Sequence, residues 1–372
     1  YTRNEMSHIM QRRDERALET RYQRNQHGQL TQRQYPHTLE ETFKYDELGQ
    51  LYTYNMDYNH RIRLIYDDKH RMDKLFIEQS PEGLNWNILG KQLYEYQNEN
   101  LTKITQYKEN NVIDSIERTY DLNGNILSET TPQGIIHYTF NQNQETVKTQ
   151  YPDGNIYKYK RDLLGRLTAI TDQNDQAIMT KTYNHADQVI EEVYGNNQVM
   201  HYAYDVDGSM ISQDVTGKDA VTYAYNLNGD LTQKTTAGHT IKYEYDHLRR
   251  LIKEEAEDRA MVEYVYDPAG NRITKRAPDS LTKYQYGLGN ELLKIEVHQV
   301  RKEGLFLQKD QTSDYQYDAR GNLSQEITPL QTKTYGYDHF NRLTHFYLDD
   351  QLMIQYAYDG LGRMISRKTK NG

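Results

Sequence analysis

The sequence has no cysteine among its 372 residues. That excludes a disulfide framework and any thiolate metal site. Proline is scarce, with 7 residues, and there is a single tryptophan. Aliphatic residues are also in short supply: the hydrophobic fraction is 36% and the mean hydropathy is -1.01. A compact globule of this length buries most of its surface and carries more Leu, Ile and Val. No apolar run approaches the length of a transmembrane helix, and the N-terminal residues do not read as a signal peptide. The net charge of -9 interleaves both signs, which points to neither a nucleic acid nor an anionic membrane as partner. Local basic pairs such as Arg12-Arg13 and Arg367-Lys368 are too short to change that.

Tyrosine, by contrast, is abundant, with 35 residues. Disordered chains are poor in aromatics. A tyrosine ring is apolar with a polar tip, so it suits a surface that is half buried and half wet. An ordered β structure with water near both faces reconciles these facts.

The tyrosines are periodic. A Tyr-Asp-x-x-Gly-x-Leu motif recurs about every 21 residues, a period that marks a repeat architecture. Clear copies are Tyr45-Asp46…Gly49, Tyr120-Asp121…Gly124, Tyr204-Asp205…Gly208, Tyr266-Asp267…Gly270, Tyr317-Asp318…Gly321 and Tyr358-Asp359…Gly362. With the first tyrosine as key, 17 copies fall at 3, 24, 45, 66, 96, 120, 140, 161, 183, 204, 225, 245, 266, 286, 317, 337 and 358. All intervals are 20 to 22 residues except 66–96, 96–120 and 286–317, which read as lengthened loops or hairpins. The key is Tyr in 13 copies, the next residue is Asp in ten and Asn in five, and the residue four after the key is Gly in nine. A second tyrosine stands two before the key in 13 copies.

Each column has a physical reading. Tyr-x-Tyr places both rings on one face of a strand. The Asp or Asn that follows bonds its own backbone and starts a turn. Gly four after the key supplies the positive φ that closes a hairpin. A second turn signal follows about seven residues later, as at Pro132-Gln133-Gly134, Gly217 and Gly238. Two strands per copy predict about 34 strands in one continuous antiparallel ribbon, all-β, about 160 Å long at about 4.8 Å per strand. An open sheet of that size must coil. As a single ring it would be about 50 Å across, too wide for its own side chains to fill, so a hollow coil is expected. Residues 7–22 have a helix-like composition, but Ile9 and Tyr22 fall in the strand columns of other copies, so strand is expected there too.

These repeats resemble the YD repeats of Rhs proteins, a group that includes bacterial polymorphic toxins, the C components of Tc toxins and the shell of teneurins. Runs such as Tyr266-Asp267-Pro268-Ala269-Gly270-Asn271-Arg272 and Tyr358-Asp359-Gly360-Leu361-Gly362-Arg363 carry the resemblance, which covers essentially the whole chain. It implies that residues 1–372 are one shell segment of a β-cocoon. Such a cocoon encloses a C-terminal toxin domain for export or delivery by a secretion system against rival or host cells. The implied partners are the enclosed toxin domain, the rest of the same shell, and a secretion-apparatus spike or pore component. The implied location is secreted, delivered, or at the cell surface. The Pro- and Asp-containing motif with which bacterial members cut the toxin free has no match here, since Asp267-Pro268 belongs to an ordinary repeat turn. Tyr1 and Asn371-Gly372 interrupt the repeat, so the segment reads as part of a longer chain.

No catalytic, cofactor or metal site emerges. Aspartates repeated at one column are turn residues. Asp205-Val206-Asp207-Gly208 lacks the spacing and distal Glu of an EF-hand loop. The 13 histidines show no H-E-x-x-H, and neither a P-loop nor G-x-S-x-G is present. Asn100-Leu101-Thr102 and Asn322-Leu323-Ser324 are glycosylation sequons, relevant only in a eukaryotic secretory setting. The expectation is therefore a container without enzymatic activity. Two alternatives stay open: an adhesion or glycan-binding surface built on the Tyr columns, and an enzyme whose site would lie in the long intervals, roughly 78–93 and 297–312.

Overall fold

The computed structural model describes residues 1–13, 18–36, 40–82, 85–257, 259–300 and 307–370. They form an antiparallel sheet of 34 strands, from Thr2–Arg3 to Met364–Thr369, in which strands pair with their neighbours in sequence within each of the two units described below. Two strands per copy of a 17-copy repeat account for that number. Most strands run five to eight residues, as alternating apolar and polar residues between turn signals should.

The lengthened intervals are longer hairpins. Strands Asn87–Gln97, Asn100–Lys108 and Asn111–Tyr120 fill the long intervals after Tyr66 and Tyr96, and Leu292–Val300 pairs with Leu307–Tyr317. Of the two readings, lengthened loops or hairpins, the hairpin is the one found, because both arms keep the strand alternation and pair in register, as at Leu75↔Gln92 and Val297↔Gln311. Residues 83–84 and 301–306 lie outside the described residues. The helix-like N-terminal stretch is strand at Ile9–Arg13 and Glu19–Arg24, while 14–17 lie outside the described residues, as do Asn371-Gly372.

One irregularity recurs at the repeat turns. At most turns the key residue pairs with the residue six after it, while the residue before the key pairs eight after the key: Tyr45↔Leu51 but Lys44↔Thr53, and Tyr204↔Met210 but Ala203↔Ser212. One extra residue on the return strand makes a β-bulge, which sharpens the local twist.

The chain divides into two compact units. The first comprises 1–117, 265–275 and 279–372. It holds the buried apolar side chains, Met56, Ile77, Ile104 and Ile116, and a turn at its C-terminal end returns onto Ile104. Gly360 in that turn gives its N–H to Asp114 Oδ2 at 3.0 Å and takes a bond from Gln92 Nε2 at 3.2 Å. The second unit comprises 118–264 and 276–278. Its buried side chains are polar: Glu129, Thr149, Thr171 and Asp230. Glu129 is held by Arg118 at 2.8 Å across the pair of strands. The first unit too buries polar side chains, Glu41, Glu78 and Asp114 among them, beside its four apolar ones.

Candidate functional site: the repeat turn and its ties

The repeated motif residues are where sequence pointed, and the structure gives each a defined task. The aspartate after the key folds back on its own turn. Asp46 Oδ1 accepts the N–H groups of Leu48 (3.0 Å) and Gln50 (2.8 Å). Asp121 does the same with Asn123 and Asn125, Asp205 with Asp207 and Ser209, Asp318 with Arg320 and Asn322, and Asp359 with Leu361 and Arg363. Asp267 accepts from Asn271 at 2.8 Å. Asn25, Asn141, Asn184 and Asn226 make the same bonds through their side-chain oxygens, so geometry and not charge is what the column requires.

The position four after the key has positive φ in 16 of the 17 copies. Gly49, Gly124, Gly208, Gly270, Gly321 and Gly362 lie between φ 81° and 88°. Seven copies force a residue with a Cβ into this left-handed region: Ser7, His70, Gln144, Asp187, Arg249, Asn290 and Asn341. Only the tighter hairpin after Tyr96 departs, with the positive φ at Asn98.

The key tyrosine joins consecutive repeats. Its hydroxyl donates to the backbone carbonyl of the residue six after the key of the preceding copy: Tyr45 to Leu30, Tyr204 to Val189, Tyr317 to Leu292 and Tyr358 to Leu343. Eleven such bonds are described, from 2.7 to 3.1 Å. Tyr120 and Tyr266 end their strands at the equivalent place. Burial pushes the phenols of Tyr66, Tyr225, Tyr317 and Tyr358 above the usual tyrosine value.

A further column escaped the sequence reading. The residue five after the key is polar in 16 of the 17 copies, and in several of them its side chain reaches the next turn. Gln29 Nε2 donates to Gly49 O at 2.8 Å, Gln50 to His70 O at 2.9 Å and Gln188 to Gly208 O at 3.1 Å. Where the residue is Arg, it also pairs with the aspartate of its own turn, as Arg71 with Asp67 (2.7 Å), Arg166 with Asp162 (2.7 Å) and Arg342 with Asp338 (2.7 Å). The same guanidinium groups lie over the next key ring, 4.2 Å from Tyr96, 4.7 Å from Tyr183 and 4.7 Å from Tyr358. The Arg71 and Arg166 guanidinium groups hold the Asp67 and Asp162 carboxyls below the usual carboxylate range. The visible signal was a polar column sandwiched between Gly and Leu.

Two of the tyrosines two before the key meet carboxylates. Tyr202 donates to Glu192 at 3.1 Å and Tyr264 to Glu254 at 2.9 Å. Burial and then Glu192 push the Tyr202 phenol up to about 12. The carboxylates repeated in the motif are thus engaged in turns and ties. Asn322, in one sequon, has its amide on Asp318 Oδ2 (2.9 Å) and Asn341 Oδ1 (3.0 Å).

The family model described as the teneurin YD-shell matches residues 85–266 and 239–372. No curated protein matches the sequence. Among solved structures, a chain of the TcdB2–TccC3–Cdc42 complex aligns with 94% of this chain and 22% of its own length, at 15% identity and a TM-score of 0.54. A chain of the Photorhabdus luminescens Tc holotoxin pore aligns with 95% of this chain and 26% of its own, at 13% identity and a TM-score of 0.46. The first of these shows a common fold. The present chain spans about a quarter of the length of the chains it matches.

Proposed function

The chain belongs to the teneurin YD-shell family, and from that premise we propose that residues 1–372 are a section of a longer shell that encloses a C-terminal toxin domain of the same polypeptide. The observation that carries this is the tyrosine tie, which fastens every bonded repeat to the one before it. A sheet fastened this way resists opening between any two hairpins without needing an aliphatic core. That is the requirement of a wall with water or a guest on its far side. The motif carboxylates are occupied by the turns, so on this reading the segment has no catalysis of its own. Delivery outside the producing cell, through a spike or pore component, follows from the same proposal and from the toxin structures that share the fold. An adhesion or glycan-binding role would have to rely on rings outside the key column, whose hydroxyls are already bonded.

Small-angle scattering of the full natural polypeptide tests the proposal. The expected pair-distance distribution is that of a particle with an internal void. Limited proteolysis should cut the sequence beyond the shell only after the wall is opened. A solid particle, or a C-terminal region cut at the same rate with the wall intact, would overturn it.

A further inference from the structure

The first unit contains an unusual meeting of two imidazoles from repeats 279 residues apart. His60 starts the strand His60–Tyr66, and His339 sits in the turn after the strand Thr332–Tyr337. Their ring centroids are 6.2 Å apart, tilted by 33°. His339 Nδ1 is buried with no hydrogen-bond partner. The other charged groups facing His339 are mostly positive: Arg320 from a neighbouring turn and Lys108 from the strand Asn100–Lys108. Arg320 Nη1 is itself buried without a hydrogen-bond partner. The anionic neighbour is Asp338, whose Oδ2 is bound to Arg342 Nε at 2.7 Å and whose Oδ1 accepts the N–H groups of Phe340 and Arg342. On the other ring, His60 Nδ1 lies 3.0 Å from Asp57 Oδ2. A groove of about 660 Å³ runs beside His60, lined by Asp57, Tyr58, Glu291, Tyr317 and Asp318, and gives water a route to that ring.

We propose that this contact is a proton-operated clasp: protonation of His339 adds a positive charge beside Arg320, Lys108 and His60, and the 338–341 turn lets go of the 56–60 turn. Burial, then Arg320 and His60, hold the His339 imidazole below its ordinary value. A group with a depressed value stabilises the contact above the ordinary imidazole pKa, and that contribution is lost as pH falls below it. Like charges in a partly buried place are poorly screened by salt, so the repulsion acts where it arises. The clasp concerns the first unit alone and holds whether or not the wall encloses a cargo.

Hydrogen exchange of the full natural chain at about pH 7.5 and about pH 5.5, corrected for intrinsic exchange chemistry, tests it over the range in which histidine titrates. In the wild type, peptides over 56–60 and 338–342 should lose several-fold in protection on acidification, while the 225–231 turn should not. His339→Gln should abolish the acid-induced loss, and His60→Gln should reduce it. Wild-type protection that is unchanged across this range would overturn the proposal. So would either variant losing as much protection as the wild type.

Discussion

Gly360 donates its N–H to Asp114 Oδ2 at 3.0 Å, although the two residues are 246 positions apart. Asp114 is 4% exposed and Asp359, next to Gly360, 1% exposed. Ile104 closes the site from below: a Cβ built on Gly360 would stand 2.9 Å from Ile104 Cγ2. Here a repeat turn acts as a plug seated on Ile104, whose cross-strand partner is the buried Ile116.

Gly360→Ala should therefore cost about 1–3 kcal/mol through overpacking, since the buried Ile104 would have to shift to admit the new methyl. Calorimetric melting of the full chain measures the loss. Gly270→Ala has no atom within 4 Å of the added Cβ, but its φ of +88° imposes a conformational penalty of about 1–2 kcal/mol. The two variants should separate by place: the first unseats the 359–362 turn in hydrogen exchange, and the second loosens only its own hairpin. Equal, purely local effects would show that the plug is not seated as described.

Asp114 makes the same contact sensitive to pH in the opposite sense to His339. Burial raises its carboxyl above the usual carboxylate range, the Asp359 charge adds to this, and the Gly360 N–H opposes it. A carboxyl with a raised value favours the docked state most below the ordinary carboxylate pKa, and the gain is lost as pH rises through the raised one. Asp114→Asn removes the charge at every pH. Protection of the 359–362 turn, compared between variant and wild type, should differ more as pH rises above the carboxylate range. Parallel curves for the two proteins would refute the assignment.

The tyrosine ties predict a graded response. Tyr204→Phe removes one hydroxyl and leaves the Val189 carbonyl without that donor. The expected cost is about 1 kcal/mol, the net worth of one such bond. Tyr52→Phe, whose ring is 39% exposed, should cost nothing measurable. Urea unfolding of both variants decides the matter, and equal midpoints would mean that the ties do not hold the wall.

Local chemistry was legible in the sequence, and long-range chemistry was not. The columns at Tyr45, Asp46 and Gly49 located the strand end, the turn start and the positive φ, because each rests on bonds within a few residues. The acceptor of the Tyr45 hydroxyl, Leu30, was one step further: it needs the period of the repeat combined with the hairpin register. Arg71 and Gln29 were passed over because their column shares polarity and not identity, although polarity alone sufficed for the bridging task. The seat of Gly360 on Asp114 left no trace, since both residues stand in repeats that look like the others. Distance along the chain of 246 residues carries no pattern that one sequence can reveal.

The left-handed turn position offers the strongest test of the repeat as a code. Backbone geometry requires positive φ four after the key, and in Gln144 and Arg249 the chain meets that requirement with residues that have a Cβ. An L-residue there bears about 1–2 kcal/mol of steric cost, whereas glycine bears a smaller entropic one. Gln144→Gly and Arg249→Gly should then stabilise the protein, by about 0.5–1 kcal/mol for Gln144, where no side-chain bond is lost. Arg249 also pairs with Asp230 at 2.6 Å, so its replacement forfeits that pair and should gain less. Thermal melting should therefore rank Gln144→Gly above Arg249→Gly, with the first above the wild type. A melting temperature below wild type for Gln144→Gly would mean that the left-handed geometry is not imposed by the repeat.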